Sequence, residues 1–178
     1  MSDHRQQEQH YGVLTEPATM LLRRQLPGPI ERVWAYLTES ELRQQWLASG
    51  DMTLQTGAAF ELVWQNDALS ASPSERPAGF PEESRATCQI TAIESLRKLS
   101  FIWPGVGDVT FQLEPAGADV ILTVTHRRLA DKAMTLLVGA GWHMHLDILS
   151  ARLKGTAAPS FWSGWQRLHH EYAQRLAA

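Results

Sequence analysis

The run GAGWHMHLDILSARLKG, residues 139–155, sets two histidines on either side of a methionine, a pairing that could hold a metal or pass a proton. Successive residues of an α-helix turn by about 100°, so residues two apart point away from each other and His143 and His145 cannot share one ion. Projected on a helix, Trp142, Leu146, Leu149 and Leu153 make one apolar stripe, with His143, Asp147, Ala151 and Lys154 opposite. The pattern predicts His143 at the solvent surface, within reach of Asp147 one turn later. It predicts His145 at the edge of the stripe beside Leu149, facing whatever the helix covers.

Other reactive groups are few. The seven histidines include no HExxH spacing, and the adjacent His169 and His170 diverge on a helix, so no metal site is expected. Cys88 alternates with Ala86, Ile90 and Ala92, the pattern of a small core residue rather than a nucleophile. No G-x-S-x-G elbow or phosphate-cradling loop occurs. His126 shares a strand face with Val120, Leu122 and Val124, and two readings stand: a rim histidine bonded to backbone, or a hydrogen-bonding or acid/base group for a ligand.

Aromatic residues point the same way. Seven tryptophans against three tyrosines is an unusual balance, and large rings either fill cores or line pockets for apolar ligands. Trp46, Trp64 and Trp103, taken with Phe60, Phe101 and Phe111, would make a wall suited to a flat molecule. The expected ligand contacts are therefore Trp46, Phe60, Trp64, Phe101, Trp103, Phe111, His126, Trp142, His145 and Leu149, with no catalytic residue, metal or cofactor assigned.

The elements that must position these side chains are legible from periodicity. Residues 1–16 are polar and unpatterned and predict a flexible tail. ATMLLRRQL from Ala18 reads as a strand ending at PGP. PIERVWAYL carries Ile30, Val33, Trp34 and Leu37 at helical spacing, with Pro29 placed for a first turn. TESE, residues 38–41, matches a capping box for a second short helix holding Leu42 and Trp46. DMTLQ and AAFELVWQN around Gly57 suggest a hairpin with Phe60, Leu62 and Trp64 on one face.

Residues 67–84, DALSASPSERPAGFPEES, are a Pro- and Ser-rich loop that reads equally as a lid or as a mobile insertion. Four more strand patterns follow, RATCQITAIES, KLSFIWPG, DVTFQLEP and ADVILTVTHRRL, in which Leu99, Phe101 and Trp103 share one side, as do Val109, Phe111 and Leu113. The helix of residues 139–155 comes next. An amphipathic extension then carries Phe161, Trp165, Leu168, Tyr172 and Leu176 in a stripe, to pack on the body or on a partner. The sum is one α+β domain over residues 17–155 and a helical extension over 156–178: roughly six antiparallel strands in a meander, covered by a long helix with room for a ligand between them.

A length of 178 residues with 44% hydrophobic content suits a single domain with a core. A net charge of −3 with scattered Lys and Arg excludes a nucleic-acid footprint. The single cysteine, the absence of an apolar leader in MSDHRQQEQH and the lack of a long apolar run predict a cytoplasmic protein with no membrane insertion.

Three stretches, IERVWAYLTESELRQQWLA (30–48), LTVTHRRL (122–129) and GWHMHLDILSARLKG (141–155), resemble the START-like, helix-grip superfamily, and within it the bacterial branch similar to activators of the Hsp90 ATPase. FWSGWQRLHHEYAQRL is similar to the tail of some members. The resemblance implies a curved antiparallel sheet wrapped around a long C-terminal helix, with two short helices after the first strand. It implies a cavity protein that binds a small hydrophobic or aromatic molecule. A cyclase/aromatase-like enzyme using His126 and His145 is the second function it implies. The third is protein interaction, with a chaperone or in a homodimer. The eukaryotic activators carry an additional N-terminal domain that this sequence is not expected to contain, which places the chaperone role last.

Overall fold

The computed structural model describes residues 2–177. A helix, α1 (Ser2–Gln9), leads into β1 (Val13–Glu16) and β2 (Thr19–Pro27), followed by the short helices α2 (Ile30–Thr38) and α3 (Ser40–Arg43). The strands β3 (Ala59–Trp64), β4 (Ser84–Glu94), β5 (Lys98–Trp103), β6 (Gly107–Ala116) and β7 (Asp119–Arg127) come next, and α4 (Lys132–Lys154) and α5 (Phe161–Arg175) close the chain. All strand pairs are antiparallel, in the order β1-β2-β7-β6-β5-β4-β3. This is the α+β helix-grip arrangement, with seven strands rather than six.

Alternation decides which face is buried. Val120, Leu122, Val124 and His126 of β7 are enclosed, as are Val109, Phe111 and Leu113 of β6 and Phe60, Leu62 and Trp64 of β3, because every second side chain points to the concave face. Helix α4 lies across that face. Asp131 caps its start by accepting from the Met134 N–H, and Gly155, in the left-handed region, ends it. Trp142, Leu146, Leu149 and Leu153 meet the sheet side as their spacing predicts, and all are buried.

The opposite side of α4 corrects the sequence reading. His143 is not solvent-facing: it is buried at 5% exposure, and Ala151 is buried too. Helix α5 folds back on α4, burying Phe161, Trp162, Trp165, Leu168 and Tyr172, so that α4 is covered on both sides. A helix in that position needs few polar residues on any face.

Three local expectations also change. The polar start of the chain forms α1 and the exposed edge strand β1, held by contacts remote in sequence: Tyr11 donates to Glu171, the Gly12 N–H to Tyr172 Oη at 2.7 Å, and Arg175 pairs with Glu8 at 2.8 Å. DMTLQ is irregular rather than a strand. The outer edge of β3 meets only an isolated Ser49–Val63 bridge, and β3 takes β4 as its partner instead. The TESE stretch makes no capping box, since Thr38 Oγ1 bonds back to the Trp34 carbonyl at 2.9 Å and α3 lasts four residues. In α3 the most enclosed side chain is Arg43, which donates to the Leu37 and Gly50 carbonyls and ties the short helices to the loop beyond them.

Among the described residues, no helix is long and apolar enough to cross a membrane.

Candidate ligand cavity

A cavity of about 220 Å³ opens where β3, β4 and β5 diverge from α4. Its floor is built by strand register. Trp64 pairs with Ser84, and the small Ser84 and Ala86 of the intervening β4 let Trp64 of β3 stack on Trp103 of β5, with centroids 4.8 Å apart and planes 18° apart. Leu137, Val138, Gly141, Trp142 and His145 of α4 form one side, and Phe161, Trp162 and Trp165 of α5 the other. The loop between β3 and β4 supplies Asn66 and Phe80.

That loop, expected as a lid or a mobile insertion, is tied to α5. It contains two short 3₁₀ turns, Asn66–Leu69 and Pro73–Glu75. The Trp162 indole donates to Asp67 at 2.8 Å, the Trp162 N–H to Ser70 Oγ at 3.0 Å, and Gln166 to the Glu75 carbonyl at 2.8 Å. Phe80 packs against Trp162 and Trp165 with centroids 5.2 and 5.1 Å away. Loop and helix thus form one cover over the Trp64–Trp103 floor.

Of the ten side chains singled out from sequence, Trp64, Trp103, Trp142 and His145 border the cavity. Trp46, Phe60, Phe101, Phe111, His126 and Leu149 lie outside it. Phe60, Phe101, Phe111 and Trp142 form a chain of edge-on ring contacts in the core, and Trp46 packs on Phe111. The Trp46 indole donates to the Tyr36 carbonyl at 2.8 Å. The periodicity marks all of these as inward-facing, but it does not reveal where the packing stops. The cavity side chains absent from the sequence reading, Phe80, Phe161 and Trp162 among them, come from loop and α5. Their aromatic character was the available signal, and their distance in sequence from the sheet concealed it.

The histidines have different fates. His126 is fully enclosed: the Trp142 indole N–H donates to Nδ1 at 3.0 Å, so the proton sits on Nε2 and is given to the Val106 carbonyl at 3.0 Å. With both nitrogens engaged, it fixes the Trp142 ring that walls the cavity. A Cβ at Gly107 would lie 3.0 Å from His126 Nε2 and 2.1 Å from the Arg127 carbonyl, which explains the glycine beside it. Burial pushes His126 down to about 4, leaving it neutral at pH 7.

His145 also falls to about 4 through burial. Its Nδ1 lies 2.7 Å from the Trp46 carbonyl, an acceptor only, so Nδ1 carries the proton and Nε2 the lone pair. Nε2 has no partner among the described residues, and the ring, tilted against Phe161 at 4.5 Å, borders the cavity.

His143 belongs to a separate polar cluster on the other side of α4. The Gly12 N–H donates to Tyr172 Oη, whose hydroxyl lies 2.9 Å from His143 Nδ1, while His143 Nε2 faces Asp147 at 3.4 Å. Asp147 accepts from the buried Arg24 at 3.0 Å. Burial, with Arg24 nearby, holds His143 down at about 2. Arg24 occupies an inward position in phase with Met20, Leu22 and Leu26, so its place in the alternation was the sequence signal for a buried charge needing a partner.

A second hollow of about 230 Å³ behind Leu47 is rimmed by Gln44, Gln45, Gln65 and Arg152 and has no aromatic wall.

Comparison with known proteins places this geometry. The protein encoded by gene BPP1335 of Bordetella parapertussis is 39% identical over 93% of this chain and 90% of its own, with a TM-score of 0.78. CalU16 from Micromonospora echinospora is 23% identical over 94% of this chain and 96% of its own, with a TM-score of 0.65, and shares the fold. DynU16, a protein in the dynemicin biosynthetic locus, shares it too, at 19% identity over 81% of this chain and 50% of its own, with a TM-score of 0.62. No curated protein shows significant similarity. A family model matches residues 27–154, from the end of β2 to the last turn of α4, and on that match the chain belongs to the family described as Activator of Hsp90 ATPase homolog 1-like protein, on a START-like helix-grip fold.

Proposed function

We propose that the protein binds a small hydrophobic or aromatic molecule in the cavity between the sheet and its two C-terminal helices, without catalysing a reaction on it. The observation that carries this reading is the cavity wall, in which five tryptophans, Trp64, Trp103, Trp142, Trp162 and Trp165, surround about 220 Å³. A dry cavity of about 150 Å³ already accepts benzene, so this volume suits one or two fused rings. Aromatic faces and edges present the apolar area that such a ligand needs.

The histidines argue against acid/base turnover. A general base works best with a pKa near the operating pH, and both His126 and His145 are held near 4 by burial. His126, moreover, has neither nitrogen free. The kinship in fold with a protein of a biosynthetic locus agrees with handling of a small organic molecule.

Native mass spectrometry of the purified protein, followed by denaturing extraction, tests the reading. The expected result is a stoichiometric small molecule, released on unfolding and lost in Gly141→Leu. A Cβ at Gly141 meets no atom within 4 Å, so the leucine can enter the cavity rather than the core. A clean apo mass, with no thermal shift across lipids and aromatic metabolites, would overturn it.

A further inference from the structure

We propose that the cavity selects an uncharged aromatic alcohol, a phenol or naphthol of one or two fused rings, whose hydroxyl donates a hydrogen bond to Nε2 of His145. The inference rests on the binding reading above and adds the chemical class of the ligand.

The acceptor is imposed by the fold. The Trp46 carbonyl takes the single ring proton of neutral His145 on Nδ1, so Nε2 can only accept. His145 is 5% exposed, borders the cavity, and leaves Nε2 without a protein partner among the described residues. The shift of this imidazole to about 4 keeps it neutral at physiological pH.

A second group agrees with a polar edge on the ligand. Asn66 borders the same cavity, and its Oδ1 is buried with no hydrogen-bond partner. Asn66 Oδ1 is an acceptor, as Nε2 of His145 is, so a pure hydrocarbon would satisfy neither, whereas a hydroxyl supplies a donor to one of them.

Charge is excluded by the rest of the lining. Its ionisable side chains apart from His145 are Glu82 and Arg85, and Arg85 is exposed and engaged by Glu61 and Glu83. A carboxylate or ammonium drawn beneath the tryptophans would lose its water, while Glu82 and Arg85 are themselves exposed to solvent rather than enclosed with it. The stacked Trp64–Trp103 floor and the edges of Trp162 and Trp165 favour a planar ring over an aliphatic chain.

Four probes distinguish these demands: naphthalene, 2-naphthol, 2-methoxynaphthalene and 2-naphthoate, titrated into the full chain at pH 7.5 by tryptophan fluorescence and calorimetry. The naphthol is expected to bind about tenfold tighter than the ether or the hydrocarbon, with the naphthoate weakest. In His145→Asn, the amide nitrogen replaces Nδ1 against the Trp46 carbonyl but nothing reaches the Nε2 position, and the preference for the alcohol should shrink to about twofold. His145→Gln places an amide oxygen near the Nε2 position and should retain the preference. Equal binding of alcohol and ether by the wild type, with both excluded by Gly141→Leu, would overturn the hydroxyl selection and leave the cavity reading standing. Failure of all four probes to bind the folded protein would remove the cavity reading and this inference with it.

Discussion

His143 and His145 stand two residues apart on one helix, each 5% exposed and each neutral, yet their surroundings differ in kind. Around His143 the side chains interlock: Tyr172 and Asp147 flank the imidazole, Asp147 accepts from Arg24, and the N-terminal segment reaches Tyr172 through the Gly12 N–H. Around His145 one nitrogen is tied to backbone and the other has no partner among the described residues, on a ring that borders an aromatic-walled cavity. Burial alone therefore does not mark a site in this molecule. Unmet hydrogen-bonding capacity beside a void does, because buried polar groups without partners are costly and are seldom kept for packing alone.

Acid should affect both sides at once and most strongly. The three buried histidines take up protons near 6.5 when unfolded, but only near 4 for His126 and His145 and near 2 for His143 when folded. The unfolded chain then binds more protons between those limits, so their contribution to stability is present above pH 6.5 and is lost as pH falls toward 4. Each group adds a slope approaching about 1.4 kcal/mol per pH unit, and urea titrations from pH 7.5 to 4.5 should show a steep decline. A bound naphthol should move the acid transition downward, in part through His145, and His145→Asn should reduce that shift. A flat pH profile would show that the imidazoles are not buried neutral.

Breaking the sealed side should cost stability and spare the cavity. Asp147→Ala leaves the Arg24 guanidinium buried without its carboxylate, for an expected loss of about 2–3 kcal/mol in urea denaturation, while probe affinity in the folded protein stays unchanged. Coupled loss of affinity would mean that the two sides of α4 act as one. Trp162→Phe removes the bond that joins the cover to Asp67 and should cost about 1 kcal/mol and quicken ligand release in stopped-flow fluorescence. Gly141→Ala makes the smallest change, a gain of about 0.5–1 kcal/mol from helix propensity, since the new methyl group meets only open space. A loss of stability there would show that the space beside Gly141 is filled.

Much of the fold was legible because alternation and helical spacing are local properties. The faces of β6 and β7, the stripe Trp142–Leu146–Leu149–Leu153 and the stripe on α5 all follow from residues close in sequence. His143 escapes local spacing for the same reason: opposite an apolar stripe, a histidine reads as solvated unless a distant segment covers it. The capping box failed because Thr38 found a nearer acceptor in the Trp34 carbonyl. The chain does turn back at Gln55–Ala58, but on the outer edge of β3 only the Ser49–Val63 bridge forms, while the other edge pairs along its length with β4, beyond the loop of residues 65–83.

By itself, then, the sequence determined the element order, the inward faces and the aromatic load. Only the tertiary structure decided which aromatic rings close-pack and which face a cavity, because that depends on α5 and the β3–β4 loop meeting across about ninety residues, as Trp162 does with Asp67. It also chose between two like histidines, giving one partners at both nitrogens and leaving the other, on the cavity wall, with a partner at one. Local periodicity reports which way a side chain points, and long-range packing alone reports what it meets there.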